Sequence, residues 1–302
     1  MLIGAIDGGG TKLLAAILTA DGTLRARRHA PAPGGGLEAY FGLCAELLGA
    51  CARDAAVTLG DLSGVGVALP GMTDGNDRVL GSPSSGWGAF DARALLAPRL
   101  GGLPVFIEND VNACALAEMR FARGDGNFVW MTVSTGIGGA VVADGRLIRG
   151  ANGCAGELGH LKVAFDNPAP CGCGARGCLE AHASGTAIRR MAREAGLDAD
   201  AKQVEALAAA GDGTAQAILD TAGRHIGRGL AMAANILNPA QIYIGGGVSH
   251  ALPLFLPALR EAFAADALPQ CRDIPVTRTG LGYDAALFGA AAVCLDGLHT
   301  LP

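Results

Sequence analysis

The sequence LIGAIDGGGTKLLAAIL, residues 2–18, joins two short apolar runs through an aspartate, three glycines, a threonine and a lysine. Short apolar runs bounded by glycine are typical of buried strands, so this stretch predicts a hairpin. Backbone N–H groups of the glycines can approach an anion closely, while Thr11 adds a hydroxyl, Lys12 adds charge and Asp7 can hold Mg²⁺ through water. The spacing is not that of a Walker loop and no helix follows, so a plain glycine hairpin is the alternative.

The following segments extend this hairpin into a sheet. Residues 23–30 predict a third strand, residues 37–53 carry apolar side chains at helical spacing, and residues 64–69 predict another buried strand. The order strand, strand, strand, helix, strand is the beginning of a ribonuclease H-like sheet. The sequence therefore predicts an α/β fold whose first domain starts at the hairpin.

A polar pair follows the next predicted strand. Residues 104–108 predict that strand, residues 111–121 predict a helix, and Asn109 and Asp110 lie between them. Aspartate is a favourable helix N-cap, so capping is one interpretation of Asp110. The functional interpretation is a general base that accepts a proton from an attacking hydroxyl, with Asn109 binding a neighbouring hydroxyl.

A second glycine hairpin is predicted in the second half of the chain. It consists of a strand at 128–133, the turn STGIGG at 134–139 and a strand at 140–143. Two Gly/Thr hairpins, each at the start of its own domain, can bind a polyphosphate from both sides. Further on, a strand at 241–244 runs into three glycines, which admit a flat group such as adenine or its ribose.

Metal-binding side chains cluster in GELGHLKVAFDNPAPCGCGARGCLEA, residues 156–181. One histidine and three cysteines suffice for a closed tetrahedral zinc site, and the glycines between them let the backbone fold tightly. Three thiols within eight residues, in a chain that begins without a signal-peptide pattern, argue against disulfides. We therefore predict a structural zinc knuckle whose ligands are His160, Cys171, Cys173 and Cys178.

Two carboxylates flank these ligands. Glu157 precedes His160 by three residues and Glu180 follows Cys178 by two, so a bound metal would fix the position of both acids. His160 can bind zinc through one ring nitrogen and donate a hydrogen bond to a substrate hydroxyl through the other. Two carboxylates and one imidazole N–H suit a ligand rich in hydroxyl groups, such as a sugar.

Length and composition favour a soluble enzyme of two domains. The chain has 302 residues, half of them apolar, which is enough for a sizeable core. No apolar run approaches the roughly twenty residues that cross a membrane, so we expect a cytoplasmic protein without a membrane partner. The formal charge of −5 offers no basic surface for a phosphate backbone, which argues against a nucleic-acid partner.

Taken together, these motifs resemble the ROK family of sugar kinases and sugar-responsive repressors, which have the actin/hexokinase fold. The resemblance covers essentially the whole chain, and its most specific part is the E-x-G-H segment with the cysteines. The motifs that carry it are DGGGTK from Asp7, ENDVN from Glu108, STGIGG from Ser134, GANGCAGELGH from Gly150, CGCGARGCLE from Cys171 and NPAQIYIGGGVS from Asn238.

The resemblance implies an α/β, actin/hexokinase-like (ribonuclease H-like) two-domain fold with a central cleft and a structural zinc knuckle. We expect an N-terminal α/β domain at residues 1–112, joined by the C-terminal helix 286–302. A larger C-terminal α/β domain at 113–285 would carry the knuckle at 160–178. We also expect a homodimer.

Roles for individual residues follow from the same resemblance. Asp110 would be the catalytic base, with ATP and Mg²⁺ as cofactors and Zn²⁺ in a structural role. The residues that would bind the sugar are Gly71, Asn109, Asp110, Glu157, His160 and Glu180. Those that would bind ATP are Asp7, Gly9, Gly10, Thr11, Lys12, Thr135, Gly136, Gly138, Gly139, Gly246 and Gly247.

Three features depart from the family pattern. Gly8 stands where a branched residue is usual, from which we expect a looser hairpin. The loop between His160 and Cys171 is one residue longer than usual, and Ser84–Ser85 replace an Asn-containing loop before Gly86–Trp87. The last two differences affect the contacts expected with the far side and the outer hydroxyls of the sugar.

The leading hypothesis is ATP-dependent phosphorylation of the primary hydroxyl of a hexose. Glucose is favoured over N-acetylglucosamine, N-acetylmannosamine and fructose because no obvious feature of the sequence indicates a pocket for an acetamide group. The alternative from another class is a sugar-sensing regulator without its DNA-binding module, since the first strand starts at Leu2 and leaves no room for a helix-turn-helix. The charge does not support a zinc-ribbon nucleic-acid module, and a filament-forming actin relative would not need Glu157, His160 and Glu180.

Overall fold

The computed structural model describes residues 1–74, 78–82, 85–122, 124 and 126–300. Within them the chain divides into two compact units. Unit 1 comprises Met1–Gly124, Arg149–Ala155 and Asp284–Pro302, and unit 2 comprises Asp125–Ile148 and Gly156–Tyr283. The boundary predicted after residue 112 differs from this division, because unit 1 retains the helix that follows and also includes the segment Arg149–Ala155.

Strands and helices are distributed over both units. No helix within the described ranges is long and apolar enough to span a lipid bilayer. The strands are β1 (Leu2–Gly8), β2 (Lys12–Thr19), β3 (Leu24–Pro31), β4 (Leu62–Leu69), β5 (Met72–Thr73), β6 (Arg78–Gly81), β7 (Phe90–Asp91), β8 (Val105–Asn109), β9 (Phe128–Val133), β10 (Ile137–Ala143), β11 (Arg146–Ile148), β12 (Gln241–Gly245) and β13 (Val276–Arg278). The α-helices are α1 (Gly36–Asp54), α2 (Ala92–Leu96), α3 (Asp110–Phe121), α4 (Leu179–Ala183), α5 (Gly185–Glu194), α6 (Ala201–Ala209), α7 (Gly213–Leu237), α8 (Leu252–Asp266) and α9 (Ala285–Thr300).

Unit 1 is built on a sheet in the order β3-β2-β1-β4-β8. The pairs β1/β2 and β2/β3 are antiparallel, whereas β4 lies parallel to both β1 and β8. In β4, Val65 and Val67 belong to the core that contains α1, whereas the alternate residues Gly64 and Gly66 lie against α9. Successive strand residues point to opposite faces, so one helix covers each face of this sheet.

A small antiparallel sheet of β5, β6 and β7 was not predicted from the sequence. Its strands are only two to four residues long, which is too short to show an alternating pattern. Ser84, in the loop where sugar contacts were expected, lies outside the described residues. Trp87 packs edge-on against Tyr40, with ring centroids 4.7 Å apart, and therefore anchors its part of the loop to the core.

Unit 2 contains a second sheet, in the order β11-β10-β9-β12-β13. The strands β9, β10 and β11 are antiparallel, while β12 is parallel to both of its neighbours. Helices α7 and α8 approach closely at Gly227, where a Cβ atom would lie 2.3 Å from the Leu259 carbonyl oxygen. Helix α7 ends where Asn238 takes a left-handed φ of 42°, just before Pro239.

Two helical segments are interrupted. Helix α2 is followed directly by a 3₁₀ turn, Ala97–Leu100. Helices α4 and α5 are separated at Ser184, whose extended backbone (ψ 168°) lets its Oγ cap α5 by accepting from the Ala187 N–H. The break allows the Gly185 N–H to donate to the Ser134 carbonyl at 2.7 Å, which fixes the start of α5 on the turn after β9.

Replacing Gly66 by alanine is expected to destabilise unit 1. A Cβ atom at this position would lie 1.8 Å from the Ala290 carbonyl oxygen, so helix α9 would have to move away from β4. We expect a loss of about 3 kcal/mol in the free energy of unfolding, measured by chemical denaturation. Gly42→Ala in α1 is the control, because nothing lies within 4 Å of its Cβ position, and it should gain about 0.5–1 kcal/mol. Equal stabilities of the two variants would contradict this account of the β4–α9 contact.

Candidate active site

In unit 1, the pair Asn109 and Asp110 forms the turn from β8 into α3. Asn109, not Asp110, is the N-cap of this helix, because its Oδ1 accepts from the Val111 N–H at 2.9 Å and the Asn112 N–H at 3.0 Å. The capping interpretation of Asp110 is therefore wrong. Asp110 occupies the first helical position, where its Oδ1 accepts from the Val111 N–H at 2.9 Å and from Asn109 Nδ2 at 3.1 Å.

Gly71, predicted to bind the sugar, lies beside this turn. Its carbonyl oxygen accepts a hydrogen bond from Asn109 Nδ2 at 2.9 Å. Its φ of 110° and a Cβ position only 2.4 Å from the Gly81 carbonyl oxygen both require glycine. The structure thus brings together the three residues of unit 1 that the sequence assigned to substrate.

Asp7 lies in the same unit, near the end of β1. Burial, reinforced by the negative charge of Asp110, raises the pKa of Asp7 to about 7. The predicted phosphate residues Gly9, Gly10 and Thr11 form the turn into β2, and the Gly9 N–H donates to the Lys12 carbonyl at 3.0 Å. Two carboxylates and an adjacent glycine turn form an arrangement suited to a divalent cation with a phosphate.

The space beside Gly8 is filled, contrary to the looser hairpin that we expected. A Cβ atom at Gly8 would lie 2.6 Å from the Tyr40 Oη and 2.7 Å from Leu69 Cδ2. The Tyr40 hydroxyl donates to the Gly9 carbonyl at 3.2 Å. A tyrosine of α1 therefore occupies the volume of the missing side chain and holds the hairpin by a hydrogen bond.

In unit 2, the predicted phosphate turn is shorter than the sequence indicated. Strand β10 begins at Ile137, so Gly138 and Gly139 are strand residues, while Thr135 and Gly136 form the turn. A Cβ atom at Gly139 would lie 2.4 Å from the Gly156 carbonyl oxygen, so close packing alone explains a glycine at this position. The Thr135 carbonyl accepts from Thr186 Oγ1 at 2.8 Å, which fixes the turn on α5.

Gly246 and Gly247, predicted to lie near the nucleoside, follow the end of β12. Gly246 has a φ of 84°, and a Cβ atom there would lie 2.4 Å from the Val133 carbonyl oxygen. The backbone can therefore leave the sheet closely alongside β9.

The predicted metal ligands form a cluster in unit 2. The ligand atoms of His160, Cys171, Cys173 and Cys178 all lie within 4.8 Å of one another. The Cys173 and Cys178 sulfurs are 3.7 Å apart, close to the roughly 3.8 Å between two sulfurs of a tetrahedral site with 2.3 Å bonds. Lys162 Nζ donates to Cys178 Sγ at 2.8 Å, a contact that offsets thiolate charge. This donor set and spacing fit a zinc ion.

The two flanking carboxylates lie around this cluster, as their spacing predicted. The His160 Nδ1 faces Cys171 Sγ at 3.8 Å, and its Nε2 faces Glu157 Oε2 at 3.8 Å. Glu180 Oε2 accepts from the Ile137 N–H at 3.0 Å, and the same oxygen would lie 2.4 Å from a Cβ atom at Gly136. The imidazole therefore turns one nitrogen to the thiols and the other to a carboxylate, and Glu180 links the cluster to the β9–β10 turn.

Three polar residues near these sites were missed at the sequence level. Glu108 is buried and accepts hydrogen bonds from several segments, Arg149 pairs with it, and Tyr40 supports the hairpin. The sequence did contain a signal for Glu108, because it is a charged residue inside the apolar run of β8. A charged side chain requires a partner when it is buried.

The ROK family model matches residues 3–296 of the chain. The glucokinase of Halalkalibacterium halodurans is 39% identical over 248 residues, which are 76% of this chain and 75% of that protein. The bifunctional enzyme NanE/NanK of Brucella melitensis is 37% identical over 300 residues, 95% of this chain but 52% of that protein. The xylose repressor of Bacillus spizizenii is 31% identical over 239 residues, 78% of this chain and 62% of that protein. The chain thus spans less than two thirds of the last two proteins.

Solved structures match over nearly the full length. The ROK hexokinase of Thermus thermophilus has a TM-score of 0.83 and 33% identity, covering 99% of this chain and 100% of that chain. A ROK family glucokinase of Streptomyces griseus, in complex with glucose and AMPPNP, has a TM-score of 0.85 and 29% identity, covering 98% and 100%. The predicted actin/hexokinase-like α/β fold is confirmed by these neighbours, and the comparisons support an ATP-dependent sugar kinase.

Asp7→Asn is expected to change how stability depends on pH. The folded protein holds a proton on Asp7 up to about pH 7, whereas the unfolded chain releases it near the ordinary value of 3.8. The wild-type protein should therefore lose stability as the pH rises from about 4 to about 7, by at most about 4 kcal/mol. Thermal unfolding without Mg²⁺ should show the Tm of the variant rising relative to that of the wild type between about pH 4 and about pH 7. Above this window the difference between the two Tm values should stay constant. Parallel pH profiles would contradict the raised pKa.

Proposed function

Because the chain belongs to the ROK family, we propose that it is an ATP-dependent sugar kinase that phosphorylates the primary hydroxyl of a hexose. Glucose is the substrate that we propose. The observation that carries this proposal is the Asp110 carboxylate, held by two hydrogen bonds at the strand end beside Asn109 and Asp7. Phosphoryl transfer needs positioning and charge stabilisation more than covalent chemistry, so one fixed carboxylate beside a cation site is adequate machinery.

In this proposal Asp110 is the general base. Its carboxylate accepts the proton of the sugar hydroxyl as the oxygen attacks the γ-phosphate of ATP in line. The hydrogen bond from Asn109 Nδ2 holds the carboxylate in place, and the Gly71 carbonyl holds that amide in turn. Asn109 and Gly71 would bind sugar hydroxyls beside this carboxylate.

Asp7 and the two glycine turns would serve the nucleotide. A divalent cation fits at Asp7, because it would compensate the charge of a carboxylate whose pKa is raised by burial and, secondarily, by the negative charge of Asp110. When bound, Mg²⁺ neutralises charge on the phosphates. The residues proposed for ATP are Asp7, Gly9, Gly10, Thr11 and Lys12 of unit 1, and Thr135, Gly136, Gly138, Gly139, Gly246 and Gly247 of unit 2.

Glu157, His160 and Glu180 would bind the remaining sugar hydroxyls. The orientation of His160 supports this assignment, since its Nδ1 faces the thiols and its Nε2 lies on the side of Glu157. A zinc ion bound by His160, Cys171, Cys173 and Cys178 would have a structural role and would leave Nε2 protonated as a donor. Glucose hydroxyls would then accept from Nε2 and donate to the two carboxylates.

The identity of the sugar is supported by the relatives. The glucokinase of Halalkalibacterium halodurans and the glucose complex from Streptomyces griseus favour glucose. N-acetylglucosamine, N-acetylmannosamine and fructose are the alternatives within the kinase class, since the NanE/NanK relative is not named as a glucokinase. The xylose repressor keeps a sugar-responsive regulator as the alternative from another class. A cytoplasmic homodimer stays a prediction.

The experiment that tests this proposal is a coupled assay of ADP release with the purified chain over a panel of glucose, N-acetylglucosamine, N-acetylmannosamine and fructose. We expect glucose to give the highest kcat/KM. A higher value for another sugar of the panel would reassign the substrate within the kinase class. Sugar binding measured by calorimetry, without ADP release from any sugar, would instead favour the regulator.

Asp110→Asn is expected to reduce kcat by a factor of about 10²–10⁴, because the amide cannot accept the proton of the attacking hydroxyl. The KM for the sugar should change little, and calorimetry should still detect sugar binding. Asp212→Asn is the matched control, since Asp212 also lies at a helix start, where it caps α7 through the Ala215 N–H. Retained turnover in the Asp110 variant would remove this residue from its proposed role.

Cys173→Ala is expected to release zinc and weaken sugar binding by about tenfold or more, because His160 and both glutamates lose their anchor. Bound metal can be counted by elemental analysis and sugar affinity measured by calorimetry. Cys154→Ala is the control, since Cys154 is also exposed but lies outside the ligand cluster. Unchanged sugar affinity in the zinc-free protein would contradict the proposed link between metal and substrate.

A further inference from the structure

Next to the proposed base lies a buried acid that has no role in the mechanism above. The Glu108 side chain is 2% exposed and accepts four hydrogen bonds. Its Oε1 accepts from the Asn109 N–H at 2.9 Å, Thr73 Oγ1 at 3.0 Å and Asn112 Nδ2 at 3.1 Å. Its Oε2 accepts from Arg149 Nε at 2.7 Å. One carboxylate thus joins β5, β8, the first turn of α3 and the segment that begins at Arg149.

The segment Arg149–Ala155 belongs to unit 1, although the residues before and after it belong to unit 2. It is attached to β5 at two further points. Gly153 packs so closely that a Cβ atom would lie 2.0 Å from the Thr73 carbonyl oxygen, and Cys154 Sγ donates to Met72 Sδ at 3.2 Å. The segment therefore starts at the partner of Glu108 and ends two residues before Glu157.

A buried carboxylate is stable only when its charge is compensated and its lone pairs are satisfied. Arg149 supplies the cation, and the three donors on Oε1 supply the remaining hydrogen bonds. Because one of those donors is the Asn109 backbone N–H, any shift of the Glu108 carboxylate displaces the turn that carries Asp110. A displacement of about 1 Å at a reacting group lowers turnover about 100-fold.

We propose that Glu108 and Arg149 form a positioning pair for the reaction. Arg149 holds the Glu108 carboxylate, and that carboxylate holds the Asn109–Asp110 turn in its catalytic orientation. The pair also connects the segment that leads into Glu157 with the turn that carries the base. This inference rests on the proposed kinase function, and it assigns to both residues a role in kcat without contact with substrate.

Steady-state kinetics of Arg149→Met in the full-length protein test this pair. We expect kcat to fall about 100-fold with the sugar KM changed less than about threefold, and Arg149→Lys to recover most of the loss because it restores the charge. Arg28→Met is the matched control, since Arg28 forms a comparable but exposed pair with Asp54, Nε to Oδ2 at 2.6 Å. The double variant Glu108→Gln/Arg149→Met should lose no more than the worse single variant, because one interaction is broken in both.

A second readout does not depend on activity. Hydrogen exchange of the peptide covering residues 105–113 should be faster in Arg149→Met than in the wild type or in Arg28→Met, since Arg149 no longer holds the Glu108 carboxylate that accepts from the Asn109 amide. If Arg149→Met keeps the wild-type kcat, or loses kcat only in proportion to its folded fraction, the positioning role is overturned. If the wild type itself shows no sugar-dependent ATP turnover, the kinase proposal fails. In that case unchanged hydrogen exchange in Arg149→Met would separately refute the claim that Arg149 and Glu108 hold the Asn109–Asp110 turn.

Discussion

The parallel pairing of β1, β4 and β8 is the constraint on which unit 1 depends. The register places Asp7 beside Ala68 and Leu69 beside Asn109, so the carboxyl ends of three strands meet at one edge of the sheet. A slip by one residue would turn every side chain to the opposite face. The same register brings Asp7 near Asp110, and burial, reinforced by the negative charge of Asp110, raises the pKa of Asp7. The electrostatics of the candidate site are therefore a consequence of strand pairing.

Unit 2 holds its candidate residues by other means. Glu157, His160 and Glu180 lie on a 3₁₀ turn and a five-residue helix, and neither element is long enough to be rigid alone. Their positions depend on side-chain contacts, which are the His160 and Cys171 pair and the hydrogen bond from the Ile137 N–H to Glu180. A metal bound to the thiols would strengthen these contacts where the backbone supplies few. The cluster of one histidine and three cysteines thus lies beside the predicted sugar ligands, where the backbone elements are short.

Much of this arrangement could be predicted from local sequence. Strands β1, β2, β4 and β9 and helix α1 followed from apolar runs and helical spacing, because the strands are buried along most of their length and the buried residues of α1 recur at helical spacing. The metal cluster followed from ligand types that are rare together. Local sequence failed where a neighbour decides the outcome. Gly138 and Gly139 continue a strand because β9 pairs with them, and Asn109 caps α3 because Asp110 is already helical.

The pairing of Gly8 with Tyr40 and of Glu108 with Arg149 shows what such reasoning lacks. Each pair joins residues far apart in the chain, and each member alone appears unfavourable or neutral. A glycine in place of a branched residue suggests a void, until a tyrosine hydroxyl from α1 is found in that volume. A glutamate within an apolar strand requires a cation, but the sequence contains many arginines and does not show which of them lies close to the glutamate. Folding selects one partner because a buried charge without compensation costs several kcal/mol, more than most surface contacts can repay. A charged residue in a buried strand therefore predicts that a partner exists without identifying it, and Glu108 in β8 is such a residue.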